Sequence, residues 1–508
     1  MKTELLQHGL SEERPLHRSA LAIFVACLLI AAFVGMRLWR LTAFSLDGDE
    51  IFGLLLARSD WHGLFAGATQ DAIHPPLLYV LLKGWIWVGG ESLFWLRLFP
   101  VVASALCLIP FFFLCGNLDI PPAARNLALA IASVHPYAIF YSQHVRMYCL
   151  LMLLGLVSAW CFQLYLEQPS RRNLSALAAT NVFLVYTHYY GWLIVGLECL
   201  YLIWRRHRFS PFLYSTALVI ALFSPWAWFA GQTLYHRGLA LNLGWLVRPT
   251  VTDLLWFFID LTGFAEFPKL GVRGAVIVLL LLVVTYRRYQ DLGAHWLMLL
   301  WIAPAPIAFL TSQWLPQSIW GHRHMVFTLW PFFIVFADSV YRLRTTARLL
   351  VMTLIAVWAA YAIAFHPTDD RKLPYDVLTL DVLGQENSGD AKIPLFTVDP
   401  YLNYPLWFFM DSLKTGHLGP FGPHLDPRAD VAGLAAKAAR FDIVKVASVD
   451  AARGRHFWIG YSDSDWREAQ TPKQMLEQRG CRTGREVTAR DRFLSVTLFP
   501  VDCPSDPI

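Results

Sequence analysis

The chain has 508 residues, of which 56% are hydrophobic, 15% aromatic and only 16% charged, with a mean hydropathy of +0.44. Soluble proteins carry about 25% charged residues, so this composition excludes a soluble globular enzyme and a disordered chain. A net charge of +5 spread over the whole length is too dilute for a nucleic-acid footprint. What remains is a polytopic membrane protein with a polar appendage.

In chain order, apolar runs suited to spanning lie at about 19–41, 92–115, 123–140, 147–165, 173–187, 190–204, 211–231, 270–286, 295–311, 325–341 and 347–365. The first has no small-residue cleavage site and reads as a retained helix. The 21 Trp suit repeated membrane–water boundaries. Segment 75–90, PPLLYVLLKGWIWVGG, differs. As a helix it would reach only about 24 Å against a hydrocarbon core of about 30 Å. It also carries Lys83 near its middle.

Loop charge places this segment. If it does not cross, Arg125, Arg171, Arg172, Arg205, Arg206, Arg208, Arg287, Arg288, Arg342, Arg344 and Arg348 fall in short inner loops. Only Arg146, Arg237, Arg248, Lys269 and Arg323 then fall in longer outer loops, and a crossing would reverse the bias. The expectation is about eleven spans in a transmembrane domain over 19–365, with residues 1–18 as a cytoplasmic tail and 366–508 outside. The first outer loop, 42–90, would hold interfacial helices, with 75–90 interfacial or re-entrant. No internal repeat is visible, which weakens an inverted-repeat transporter reading.

The polar tail opens with a linker-like stretch, HPTDDRKLPYD. Strand-like runs follow at 393–398, 441–449, 457–462 and 493–501, with a helix-like run at 472–480, so a small soluble α/β domain is expected. It lacks a compact set of catalytic-type residues. Six of the eight cysteines sit in apolar runs, and no C-x-x-C pair suggests zinc. Cys481 and Cys503, the two in the tail, could form a disulfide if the tail faces an oxidising space.

The first outer loop carries the most chemistry. It holds Asp47, Asp49, Glu50, Asp60 and Asp71. EIFGLLLAR can form a short amphipathic helix, and Asp60 can cap a second one, WHGLFAGA. Asp49 and Glu50 would then lie at the membrane–water boundary, hydrated enough to be ionised and close to lipid-borne substrates, where a general base for a surface reaction belongs. Taken alone, they read first as acids favoured by a helix N-terminus, and His74-Pro75-Pro76 as a simple helix start.

The combination says more. Asp49-Glu50 after the first span, Asp71-x-x-His74-Pro75-Pro76-Leu77, Arg97 in LRLFP, and YSQHVRMY at 141–148 together resemble the GT-C glycosyltransferases. The similarity is to the protein O-mannosyltransferase-like group and to the bacterial transferases that move galacturonic acid or aminoarabinose onto lipid A. It covers roughly residues 15–365.

This resemblance implies a GT-C membrane fold and a bacterial inner-membrane enzyme with its tail in the periplasm. It would move a sugar from a polyprenyl-phosphate donor to an acceptor hydroxyl on lipid A, another envelope glycan, a lipid or a protein. It implies Asp49 as catalytic base, with Glu50 as neighbour. A single base acting opposite the departing phosphate inverts the anomeric configuration, whereas retention needs a second, nucleophilic carboxylate. The anionic leaving group needs cations. Candidates are His74, Arg146 and Arg323, with Lys83 and Arg97 behind them. His74 stands where aminoarabinose transferases carry a lysine, and it needs a proton or a donor tautomer to fill that role. Arg146 and Arg323 read equally as interface anchors. Asp71, Tyr148, His188 and Tyr189 could line the sugar or acceptor pocket, although belt aromatics explain the tyrosines as simply.

One departure concerns metals. Many relatives carry an acid in the second outer loop, and Tyr141–Tyr148 has none. A hard cation wants several oxygen ligands, so metal-independent catalysis is expected, with no cofactor. Two other readings stay open. A transporter or flippase of lipid-linked saccharides would want ionisable groups deep in its spans, where Glu198 is the main example. A scaffold subunit would depend on its outer domain.

Overall fold

The structure, a computed structural model, describes residues 13–206, 209–238, 246–263, 292–364, 373–387, 389–398, 400–462, 470–490 and 495–504. The predicted span 270–286, the basic loop residues Arg208, Lys269, Arg287 and Arg288, most of the tail's linker, and the first residues of the last predicted strand lie outside the described residues.

Among the described residues, six helices are long and apolar enough to cross a membrane: Leu21–Leu38, Leu93–Asn117, Tyr148–Glu167, Ser210–His236, His295–Trp314 and His322–Tyr341. Helices also occupy the other described spans, but several are short or broken. Arg171–Thr187 and Gly191–Arg205 have 17 and 15 residues, below the roughly 20 that a perpendicular crossing takes. The expected run 123–140 breaks at His135. Pro136 bars a helical conformation at the residue before it, so Pro122–Val134 ends and Pro136–Ser142 begins, with His135 Nδ1 accepting from the Ala138 amide. In the run 295–311 the break falls before Pro304, between Leu292–Ile302 and Pro304–Trp314. The expected re-entrant segment is a helix over Leu77–Gly89.

The chain divides into two compact units. The first comprises Met1–Trp39, Ser59–Leu81 and Phe99–His366. Within it, Pro122–Val134 packs against both Glu13–Leu38 and Leu329–Tyr341, while Tyr148–Glu167 packs along Arg171–Thr187. Gly155 permits one close approach, since a Cβ there would stand 3.2 Å from both Ile194 and Phe327.

Several buried polar groups in this unit pair with one another, as burial favours. Arg37 donates to Ser104 Oγ at 2.8 Å and to the Phe33 and Ala132 carbonyls at 3.0 and 3.1 Å. Glu198 closes a ring: its carboxyl lies 2.6 Å from Ser158 Oγ and 2.7 Å from Asn181 Nδ2, while Ser158 Oγ lies 2.7 Å from Asn181 Oδ1. A hydroxyl has one proton to give. Ser158 therefore serves two acceptors, Asn181 Oδ1 and Glu198, with that one proton.

The second unit comprises Arg40–Arg58, Leu82–Leu98 and Pro367–Ile508. Its six-stranded sheet is built from β1 (Ile393–Thr397), β2 (Phe441–Lys445), β3 (His456–Ser462), β4 (Arg482–Thr483), β5 (Val487–Arg490) and β6 (Ser495–Asp502). The order is β2-β1-β3-β6-β4, with β5 also on β6. β1 pairs parallel with β2 and β3, and β6 runs antiparallel to β3. Parallel strands buried on both faces read as apolar runs, which is why IPLFTV and FWIGYS stood out in the sequence. Phe396, Phe457, Ile459, Phe499 and Val501 form the core beside the bridged pair Cys481–Cys503.

The same unit includes the start of the first outer loop. Helix Gly48–Arg58 packs on Pro400–Thr415 of the tail. Ser45 Oγ donates to the Leu373 carbonyl and accepts from the Tyr375 amide at 3.0 and 2.9 Å, tying the loop to the first tail helix, Tyr375–Gln385. His424 pairs with the buried Asp376 at 2.5 Å.

Candidate functional site

The acids of the first outer loop belong to the second unit. Asp47 precedes the helix Gly48–Arg58, and its Oδ1 accepts from the Glu50 amide at 2.9 Å. Glu50 Oε2 reaches back to the Asp47 amide at 3.1 Å. This reciprocal cap fixes the first turn. Glu50 is fully buried and stands 3.5 Å from Arg97, whose own guanidinium donates to the Ser45 carbonyl at 2.7 Å. Glu50 and Arg97 thus serve each other. Asp49, between Gly48 and Glu50, is half-buried in the first turn, where the helix dipole favours an anion. Lys83 donates to the Ala57 carbonyl at 3.3 Å, at the other end of the same helix. Arg58 holds Glu91 at 2.5 Å.

The first unit gathers a second set. The predicted cap at Asp60 is present, accepting from the Gly63 amide at 2.7 Å and opening helix Trp61–Asp71. That helix stops at Ala72 in a left-handed turn, which carries the chain to His74. Asp71 Oδ2 lies 2.8 Å from His74 Nδ1, and His74 Nε2 lies 3.2 Å from a terminal nitrogen of Arg146. Arg146 is 2% exposed. His188 packs edge-on to His74 at 6.4 Å between ring centroids and beside His324 at 5.0 Å. Burial holds the His188 imidazole well below its ordinary range, and the charges of His324, His74, Arg146 and Arg323 act in the same direction. Its Nδ1 accepts from the Tyr190 amide at 3.1 Å.

Tyr189 completes the wall. Its hydroxyl donates to the Ala72 carbonyl at 2.8 Å and accepts from Trp226 Nε1 at 3.1 Å. Burial pushes its phenol up to about 12. Arg323 sits half-buried in the 3-10 turn His322–Thr328, which Asp260 anchors through His322 at 2.7 Å. Tyr148 instead is buried in an aromatic stack with Tyr141 and His144, at 4.9 and 5.8 Å between centroids.

Asp71, His74, Arg146, His188 and Tyr189 are therefore neighbours, with Arg323 in their electrostatic surroundings. His324 and Trp226 were not singled out in the sequence. The first lay within WGHRHMVF, where alternate histidines flank the noted arginine; the second carried no signal in an apolar helix. The cluster sets a buried guanidinium among imidazoles, which suits an anion such as a phosphate.

No family model matches the chain, and no curated protein matches it. Among solved structures, that of ArnT from Cupriavidus metallidurans bound to undecaprenyl phosphate is similar over 93% of this chain and 97% of its own, with a TM-score of 0.50 at 12% identity. A second structure of that protein, in the apo state, covers 84% of this chain and 75% of its own, with a TM-score of 0.45 at 13% identity. The fold is thus that of the GT-C class of polytopic helical membrane proteins. This arrangement of elements recurs in ArnT from Cupriavidus metallidurans.

Proposed function

We propose that this chain is a membrane glycosyltransferase that moves a sugar from a polyprenyl-phosphate donor to an acceptor hydroxyl outside the cytoplasmic membrane of a bacterium. In this reading the N-terminus is cytoplasmic and the tail domain periplasmic. The observation that supports it most is the buried cluster of Arg146, His74, His188 and His324, set on a fold shared with a protein crystallised with undecaprenyl phosphate.

Asp49 is the proposed base. It removes the acceptor's proton as that oxygen attacks the anomeric carbon, and the phosphate leaves from the opposite face with inversion. Arg146 and Arg323 hold the departing phosphate. Glu50 and Arg97 shape the helix that carries Asp49. The reading assigns no step to a metal. Transfer is then unchanged by EDTA. The ring that ties up Glu198 gives the transport reading little support.

The test uses the purified chain in nanodiscs, with undecaprenyl-phosphate sugars and envelope lipid or glycan acceptors. Release of undecaprenyl phosphate with a glycosylated, inverted product supports the proposal. Movement of intact donor across the bilayer without cleavage overturns it in favour of transport.

A further inference from the structure

The triad Asp71–His74–Arg146 carries information about which proton sits where. A guanidinium only donates. His74 Nε2, 3.2 Å from the Arg146 nitrogen, therefore accepts and bears no proton. The other ring nitrogen, Nδ1, carries it and donates to Asp71 Oδ2 at 2.8 Å. All three side chains are largely withdrawn from water: Asp71 and His74 are 14% and 17% exposed as side chains, and Arg146 is 2% exposed. Among the described residues, the groups facing this ring include Asp71, Arg146, His188, His324 and Arg323, with Tyr189 alongside Asp71.

We propose that His74 is a positioning residue rather than a phosphate ligand: a neutral imidazole, fixed by Asp71 in its Nδ1–H tautomer, that aims Arg146 at the donor phosphate. This inference rests on the glycosyltransferase reading for the identity of the anion, while the tautomer itself does not. The Asp71 carboxylate selects the tautomer, as a carboxylate does behind a catalytic or metal-bound histidine. The imidazole lone pair then accepts one guanidinium proton and fixes the direction of the fork. Protonating His74 places Nε2–H against Arg146 and releases the guanidinium.

The two roles predict opposite responses to acid. An imidazolium that grips phosphate binds better as pH falls, whereas a neutral aiming group works worse. Undecaprenyl phosphate itself gains a proton near pH 6, so the readout is the ratio of wild-type to His74→Gln affinity, measured with undecaprenyl phosphate on the full chain in nanodiscs. Between pH 7.5 and pH 5 the ratio is expected to fall by about tenfold, the worth of one charge-assisted hydrogen bond. A level or rising ratio overturns the proposal. Asp71→Asn is expected to weaken binding already at neutral pH by freeing the other tautomer.

A second measurement needs no lipid. Nitrogen-15 spectra of histidine-labelled wild-type protein, with His74 assigned by its loss in His74→Gln or His74→Asn, are expected to show a bare Nε2 and a protonated Nδ1 at pH 7.5. A doubly protonated ring or the Nε2–H tautomer overturns the proposal. The expected tautomer in a protein that does not bind undecaprenyl phosphate at any pH would sink the glycosyltransferase reading and leave the triad standing.

Discussion

Arg97 and Glu50 face each other across 3.5 Å in a place closed to solvent, with side chains 1% and 0% exposed. Removing one partner of such a pair strands the other charge. Glu50→Ala is therefore expected to destabilise the protein by about 3–5 kcal/mol, seen as a lowered unfolding midpoint. Asp49→Asn, one residue earlier, is expected to leave the midpoint unchanged and to reduce sugar transfer by about a hundred- to ten-thousandfold, the scale of a lost general base. A stable, active Glu50→Ala would show that the pair does not support the helix.

Glu198 offers the opposite expectation. Its carboxyl accepts from Ser158 and Asn181 in a closed ring. Glutamine reproduces that geometry, giving an N–H to Ser158 and taking one from Asn181. Glu198→Gln should melt like the wild type, while Glu198→Ala leaves two buried polar groups unmet at a cost of about 1–3 kcal/mol. A Glu198→Gln protein that folds but loses function would point to an acid that must ionise.

In the tail domain His456 lies between Asp502 at 2.7 Å and Glu386 at 3.0 Å. Burial works against its charge, but the bonds to these two carboxylates hold its pKa above the ordinary histidine value. The stabilisation is therefore full below about pH 6.5 and is lost as pH rises through the folded value. Hydrogen exchange in strand His456–Ser462 should accelerate from pH 6 to pH 9 beyond the intrinsic rate change, and His456→Gln should abolish that excess. His424, raised by its bond to Asp376, should behave alike.

Cys481 and Cys503 are bridged across a separation of 22 residues. Closing a loop of this size restricts the unfolded chain by about 3 kcal/mol. Cys503→Ser should lower the midpoint of tail unfolding accordingly, and reductant should reproduce that shift in the wild type without adding to it in the variant.

Much of this was legible because the physics is local. The cap at Asp60 needs only one acid before a helix, and the parallel strands announce themselves as apolar runs. Asp71 and His74 are three residues apart, so their pairing was within reach of the sequence. The breaks at His135 and Ala303 follow from the prolines after them, which hydropathy does not weigh. The partnership of Glu50 with Arg97 was hidden because it joins residues 47 positions apart, and a pattern of residue types does not say which arginine answers which acid. His324 entered the cluster for the same reason: its neighbours His188 and Tyr190 come from a different loop.

The most direct test of the central claim is mass spectrometry of envelope lipids and glycans from cells carrying the wild-type gene, the Asp49→Asn allele at equal abundance, or no gene. One product heavier by a single glycosyl unit is expected in the wild type and absent from the other two. Identical profiles in all three, or a product kept in full by Asp49→Asn, would contradict it.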